Sequence, residues 1–170
     1  SYQIKQVPPF TPGMNATGTV LDANPNLGFA IGKRIVGPTV GPYGGYAEEA
    51  LLLGERSHGV PDELDAVSAI GAHVTHGTAW FALHQRGKVK PGETVLVLAA
   101  AGGVGSAAVQ MASAFGCWVA AAAAGAQKTA FCQELGADLV IDYDSDDLYQ
   151  GIMDATDGRG VDVVYDPVGG

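Results

Sequence analysis

Apolar and polar positions change rhythm near residue 94. From there, short and almost wholly apolar runs at 94–99, 118–123, 139–142 and 161–165 predict strands. The intervening segments 103–115, 127–135 and 146–155 predict helices. Strands that are apolar on both faces belong to parallel sheets covered by helices on both sides. Gly116 and Gly136 stand where helix C-caps are expected. Four strands spaced by helices make the first half of a doubly wound sheet and one strand more.

Before residue 94 the texture is looser. Segments 17–22, 30–36 and 46–53 predict short strands among turns, the last following Gly44-Gly45. Pro61 is expected to open a helix, with Asp62 and Glu63 at the positive end of its dipole. A second helical stretch, 78–85, leads through Gly87 to the turn Lys88-Val89-Lys90-Pro91-Gly92. The halves are therefore expected to divide at 1–88 and 89–170.

The junction of the first apolar strand with its helix carries the chemistry. Ala99-Ala100-Ala101-Gly102-Gly103-Val104-Gly105 is a glycine turn between a strand and a helix rich in Ala and Ser. A pyrophosphate can sit there against backbone amides at the helix N-terminus, where a Cβ would hold it off. The cofactor-binding candidates are Ala101, Gly102, Gly103, Val104 and Gly105. The plainer alternative is a tight turn without a ligand. A P-loop kinase is excluded, because Ser106 follows Gly105 where its lysine should stand.

Composition narrows the partners. The formal net charge of −9 disfavours nucleic acid. Cys117 and Cys132 form no CxxC and have no clustered histidine, so no zinc site is expected, and both are expected to be buried packing thiols. Two thiols point to a reducing compartment. The longest apolar stretch, 117–126, is mostly Ala and too short to span a membrane. A cytoplasmic protein without a membrane partner is expected. The chain begins at Ser1 and ends at Gly169-Gly170 directly after an apolar strand, which suggests an internal piece of a longer protein.

With these motifs placed, the chain resembles the medium-chain dehydrogenase/reductase superfamily, and within it the zinc-free quinone oxidoreductase branch, the zeta-crystallin group. Pro12-Gly13-Met14-Asn15-Ala16-Thr17-Gly18 resembles the family's PGxExAG turn, with Asn15 in place of the usual Glu. Ile31-Gly32-Lys33-Arg34-Ile35 is similar to VGDRV, and Gly44-Gly45-Tyr46-Ala47-Glu48 to GGYAE. Val89-Lys90-Pro91-Gly92-Glu93 matches the family's link before the nucleotide strand, and residues 99–105 its AxxGxxG loop. Glu134-Leu135-Gly136-Ala137-Asp138 and Gly160-Val161-Asp162-Val163-Val164 follow in the family's order. The resemblance implies an α/β fold: part of a GroES-like catalytic β domain with connecting helices over 1–88, then a partial Rossmann dinucleotide-binding domain over 89–170. It also implies a homo-oligomer in full-length form.

Cofactor choice is decided at the end of the second nucleotide-domain strand. NAD enzymes place an acid about 20 residues beyond the loop to hold the ribose hydroxyls. Here the chain offers Ala123, Ala124 and Gly125, and next Lys128, which favours a 2′-phosphate and thus NADPH. In resembling NADPH enzymes a Lys and a Tyr at the positions of Lys128 and Tyr143 contact that phosphate. The Ser or Thr that often accompanies the Lys is replaced by Ala here. Thr78 matches a family Thr near the cofactor, or else is a helix N-cap after Gly77. Lys128 has the plainer alternative of a solvated helix-start lysine. His73 and His76 lack a carboxylate neighbour and are expected to be ordinary interdomain residues. Asp166 is expected to cap a loop, and the acidic patch Asp142–Asp147, apart from Tyr143, to be a solvated loop and helix start.

These residues lead to an expected NADPH-dependent, zinc-independent oxidoreductase that passes hydride to a quinone or another conjugated carbonyl acceptor. No catalytic residue is named, since the cofactor carries the reactive atom. An enoyl or enone reductase on the same scaffold remains open. So does a dinucleotide-binding or crystallin-like structural protein without turnover.

Overall fold

A computed structural model describes residues 7–169. The chain forms two compact units, one ending at His73 and the other starting at Val74.

In the first unit, β1 (Asn15–Thr19) pairs antiparallel with β2 (Arg34–Pro38), matching Thr17 with Val36. Strand β2 in turn pairs with the two-residue β3, His58–Gly59. The expected strand at 46–53 is absent. That segment bends through exposed positions and touches the sheet only by a bridge from Leu52 to Thr39. Its backbone pairs only around Leu52, the Val40 amide donating to Leu51 O and the Leu53 amide to Pro38 O, both at 2.9 Å, a run too short to count as a strand. The helix expected from Pro61 instead begins at Ala66: α1 is Ala66–Gly71. Asp65 caps it by accepting the Ser68 amide at 2.9 Å, a stronger start signal than Pro61 with its trailing acids. Val36, Val60 and Ala69 form the buried cluster, with Leu64 and Ile70 against it.

The second unit includes the helical turns that the sequence assigns to the first half. After π-helical turns at Ala72–His76 come α2 (Gly77–Trp80) and further π-helical turns at Phe81–Arg86. Ala79 and Leu83 are buried in the same cluster as Val95, Val97, Ala107 and Ala108. That burial explains why the units divide at His73 and Val74, whereas the sequence suggests residue 88.

Four parallel strands follow: β4 (Thr94–Val97), β5 (Trp118–Ala123), β6 (Leu139–Asp142) and β7 (Val163–Tyr165). Their order in the sheet is β6-β5-β4-β7. Between them run α3 (Gly103–Ala114), α4 (Ala126–Glu134) and α5 (Leu148–Ala155). Alternate residues serve opposite faces, as the strand period requires. Val95, Val97, Val119, Ala121 and Ala123 pack with α3, whereas Leu96, Ala120 and Ala122 pack with Ile141 and Ile152 of α5. Gly116 and Gly136 take positive φ just beyond α3 and α4, as expected of C-caps.

Strand β4 stops at Val97, two residues earlier than expected, because Ala99 enters the left-handed region at φ 46°. Strand β7 starts late because Asp162 is used as a clasp: its carboxylate accepts the Thr94 amide at 2.8 Å and the Thr94 hydroxyl at 2.7 Å. The chain leaves β4 toward β5 on one side and returns to β7 on the other. The loop after β4 therefore sits at the topological switch point, outside the carboxyl edge of the sheet where doubly wound folds hold ligands.

Candidate functional site

The loop from β4 to α3 is fixed by its own backbone. The Leu98 amide donates to Tyr165 O at 2.9 Å, the Ala100 amide to Ala122 O at 3.0 Å and the Gly102 amide to Ala99 O at 2.9 Å. Helix α3 starts with Gly102 as its N-cap, with no side-chain cap and no acid in the first turn. The Ser106 amide donates to Gly102 O at 2.8 Å. The amides of Gly103, Val104 and Gly105 precede that bond at the positive end of the helix dipole. Gly102 and Gly103 are exposed there, while Ala101 and Val104 are half-buried beside them.

The three glycines differ in what requires them. A Cβ on Gly105 would collide with Ala99 O and come within 2.9 Å of Ala100 Cα, so the approach of α3 to β4 demands glycine. At Gly102 the nearest obstacle to a Cβ is Ala99 O at 3.2 Å, and at Gly103 it is Thr75 Cγ2 at 3.4 Å. Gly102 has φ −77° and ψ 169°, which most residues adopt. Conformation does not demand glycine at Gly102, although a Cβ there would press on Ala99 O, and at Gly103 a Cβ would meet only the Thr75 methyl. The two glycines form a cradle that side chains would fill, and it suits a pyrophosphate against backbone.

The second part of the site lies at the ends of β5 and β6. Lys128 is exposed in the first turn of α4, where its amide donates to Gly125 O at 3.1 Å. Tyr143 follows β6, its amide donating to Ala123 O at 3.0 Å. Its hydroxyl accepts the Ala99 amide at 3.1 Å, which joins the end of β6 to the glycine loop. Thr78 lies exposed within α2, which packs against α3. The α2 N-cap is His76, so Thr78 is not a helix cap.

Sequence reasoning missed Asp142. Its Oδ1 accepts the Gly125 amide at 2.8 Å and the Asp144 amide at 3.0 Å. These amides hold its carboxyl below the usual carboxylate range, the Gly125 bond first. Asp146 accepts the Asp142 amide at 2.8 Å, and Asp147 caps α5 through the Gln150 amide at 2.9 Å. The acidic run is largely exposed and opens α5, as expected of a solvated loop and helix start, and several of its carboxylates also cap backbone amides. An Asp closing an otherwise apolar strand was the available signal.

The remaining candidates have structural roles. Asp166 Oδ1 accepts the amides of Val168 and Gly169 at 2.9 and 3.0 Å, the loop cap expected. His73 stacks at a tilt on His58, 5.8 Å between ring centres, and burial lowers its pKa, with His58 adding to the shift. His76 Nδ1 lies 3.2 Å from the Thr75 hydroxyl. Cys117 and Cys132 are buried, and burial raises both thiol pKa values, with Glu93 adding to that of Cys117. Among the described residues no three His, Cys, Asp or Glu converge on a metal position, and no helix is long and apolar enough to cross a membrane. A cleft of about 490 Å³ in the first unit is lined by Thr17, Thr19, Leu21, Glu48 and Leu52 among others, and contains none of the predicted site residues.

Comparison with known proteins agrees with this architecture. Residues 103–170 match the family model described as zinc-binding dehydrogenase. The chain is 35% identical over 171 residues to a quinone oxidoreductase-like protein 2 homolog from Nematostella vectensis, covering 99% of this chain and 46% of that protein. It is 36% identical over 165 residues to a 2-haloacrylate reductase from a Burkholderia species, covering 95% and 49%. A mycobacterial protein solved complexed with NADPH superposes with a TM-score of 0.84 at 33% identity, covering 99% of this chain and 53% of that one. The chain spans about half the length of the curated relatives it matches.

Proposed function

Because the chain belongs to the medium-chain dehydrogenase/reductase superfamily, we propose that it carries the nucleotide site of an NADPH-dependent, zinc-independent oxidoreductase acting on a quinone or similar conjugated carbonyl acceptor. The observation that carries this reading is the cradle at Gly102 and Gly103. At Gly103, and at Gly102 with a small shift of Ala99 O, the fold has room for a Cβ that a bound pyrophosphate would exclude. The nicotinamide of the bound cofactor supplies the hydride.

The residues of this chain bind and orient that group. The uncapped amides at the start of α3 would hold the pyrophosphate, and Lys128 and Tyr143 after β5 and β6 would hold the 2′-phosphate. Thr78, on the helix beside α3, lies toward the phosphate or nicotinamide. The acceptor oxygen can take its proton from solvent or a polar side chain, so no protein base is assigned.

Nucleotide titration tests the site. The protein should bind NADPH more tightly than NADH, and Lys128→Ala should weaken NADPH selectively by about 1–3 kcal/mol. Gly102→Val should abolish binding of both nucleotides in a protein that remains folded. Unchanged affinity in folded Gly102→Val would reduce the loop to a turn, and one zinc per chain would overturn the metal-free reading. A second acceptor class, an activated carbon–carbon double bond, is favoured by the similarity to the 2-haloacrylate reductase. Turnover of the full-length protein with quinones and with conjugated acids separates the two.

A further inference from the structure

Ala99 is the pivot on which the chain leaves β4. It has a left-handed φ of 46°, disfavoured for a residue with a Cβ. Its carbonyl accepts the Gly102 amide at 2.9 Å and lies against Gly105, where a Cβ would strike it. Its amide falls between two donors that remain in the sheet, Leu98 to Tyr165 O and Ala100 to Ala122 O. Since the chain has turned away, the Ala99 amide is taken by a side chain, the Tyr143 hydroxyl at 3.1 Å.

We propose that Tyr143 is a positioning residue for the pyrophosphate loop. Through the Ala99 amide it holds the pivot in its left-handed conformation and so aims the amides of Gly103, Val104 and Gly105. This role rests on the proposed nucleotide site and is separate from any contact of Tyr143 with a 2′-phosphate. A phenol that accepts one hydrogen bond keeps its own proton to donate. One hydroxyl can therefore brace the pyrophosphate loop and face a second phosphate together. The tyrosine is itself held from behind, its amide on Ala123 O at 3.0 Å and the preceding amide on Asp146 Oδ2 at 2.8 Å.

The two roles predict different losses. A brace acts on the pyrophosphate, which NADH and NADPH share; a phosphate contact acts on NADPH alone. Tyr143→Phe in the full chain should weaken NADH roughly tenfold for one lost hydrogen bond, and NADPH by at least as much. It should leave the thermal midpoint of unfolding nearly unchanged. Without nucleotide, hydrogen exchange of the Ala99 amide should accelerate in Tyr143→Phe, while the amides of Leu98 and Ala100 keep their protection. A loss confined to NADPH, or unchanged exchange at Ala99, overturns the proposal. Failure of the unsubstituted protein to bind either nucleotide would instead overturn the nucleotide site, and exchange at Ala99 would still decide whether Tyr143 braces the loop.

Discussion

The inner strands β4 and β5 of the second unit are buried on both faces, whereas its edge strand β7 leaves Val164 exposed and the first unit buries only a small apolar cluster. Val95, Val97 and Val119 have no exposed surface, and α3 and α5 cover opposite sides of their sheet. In the first unit the buried cluster is Val36, Val60 and Ala69, while Leu21, Ile31, Tyr46 and Leu51 are exposed. The contrast shows where sequence pattern constrains structure. A strand covered on both sides must be apolar throughout, so its pattern and its burial coincide. A short antiparallel strand with one open face imposes no such match.

The largest expected effect tests whether the second unit depends on close helix–strand approach. Gly105→Val would force a branched side chain into the Ala99 and Ala100 backbone. It should destabilise the second unit by about 3 kcal/mol or more, measured by chemical denaturation. Near-native stability would mean that α3 can retreat from β4, and the packing contrast would lose its basis. Next comes a matched pair. Val97→Ala should cost about 2–3 kcal/mol, with two methyl groups removed from a sealed core. Val36→Ala should cost about 1 kcal/mol, because its cluster is small and open to water. Equal losses would show that the first unit packs as tightly as the second.

The smallest effect concerns the clasp at the start of the sheet. The Thr94 amide, and after it the Thr94 hydroxyl, hold the Asp162 carboxyl below its ordinary value. A carboxyl lowered in the folded state stabilises fully above its unfolded pKa, and the contribution disappears as pH falls through the lower folded value. Stability should therefore drop at acid pH, below about 4. Asp162→Asn should flatten that drop slightly, as seen in unfolding midpoints across the acid range. An identical acid profile in the variant would assign the drop to other carboxylates, Asp142 among them.

Legibility followed the same divide. The four parallel strands lie where their apolar runs place them, and the glycines after α3 and α4 act as caps because positive φ selects glycine. The expected strand at 46–53 shrinks to the bridge at Leu52, because apolar composition does not set how far a segment pairs with its neighbour. The start of α1 moved to Ala66 because a side-chain cap at Asp65 outweighs a proline. Within the site, the glycine loop could be located from sequence, but the division of labour among its glycines could not. That division depends on the distance from an absent Cβ to Ala99 O and Thr75 Cγ2, which only the packed helix defines. Asp142 and the Tyr143 hydroxyl bond were hidden for a similar reason, since both join segments far apart in the chain.

The alanines at 120–123, all buried at the centre of the parallel sheet, have a thermal consequence. Each removes less hydrocarbon from water than the valine or isoleucine usual at such positions. Unfolding the second unit should therefore expose less apolar area per residue than in a sheet of branched side chains, and its heat-capacity increment should be correspondingly small. Stability then varies gently with temperature, and the maximum of its dome is broad.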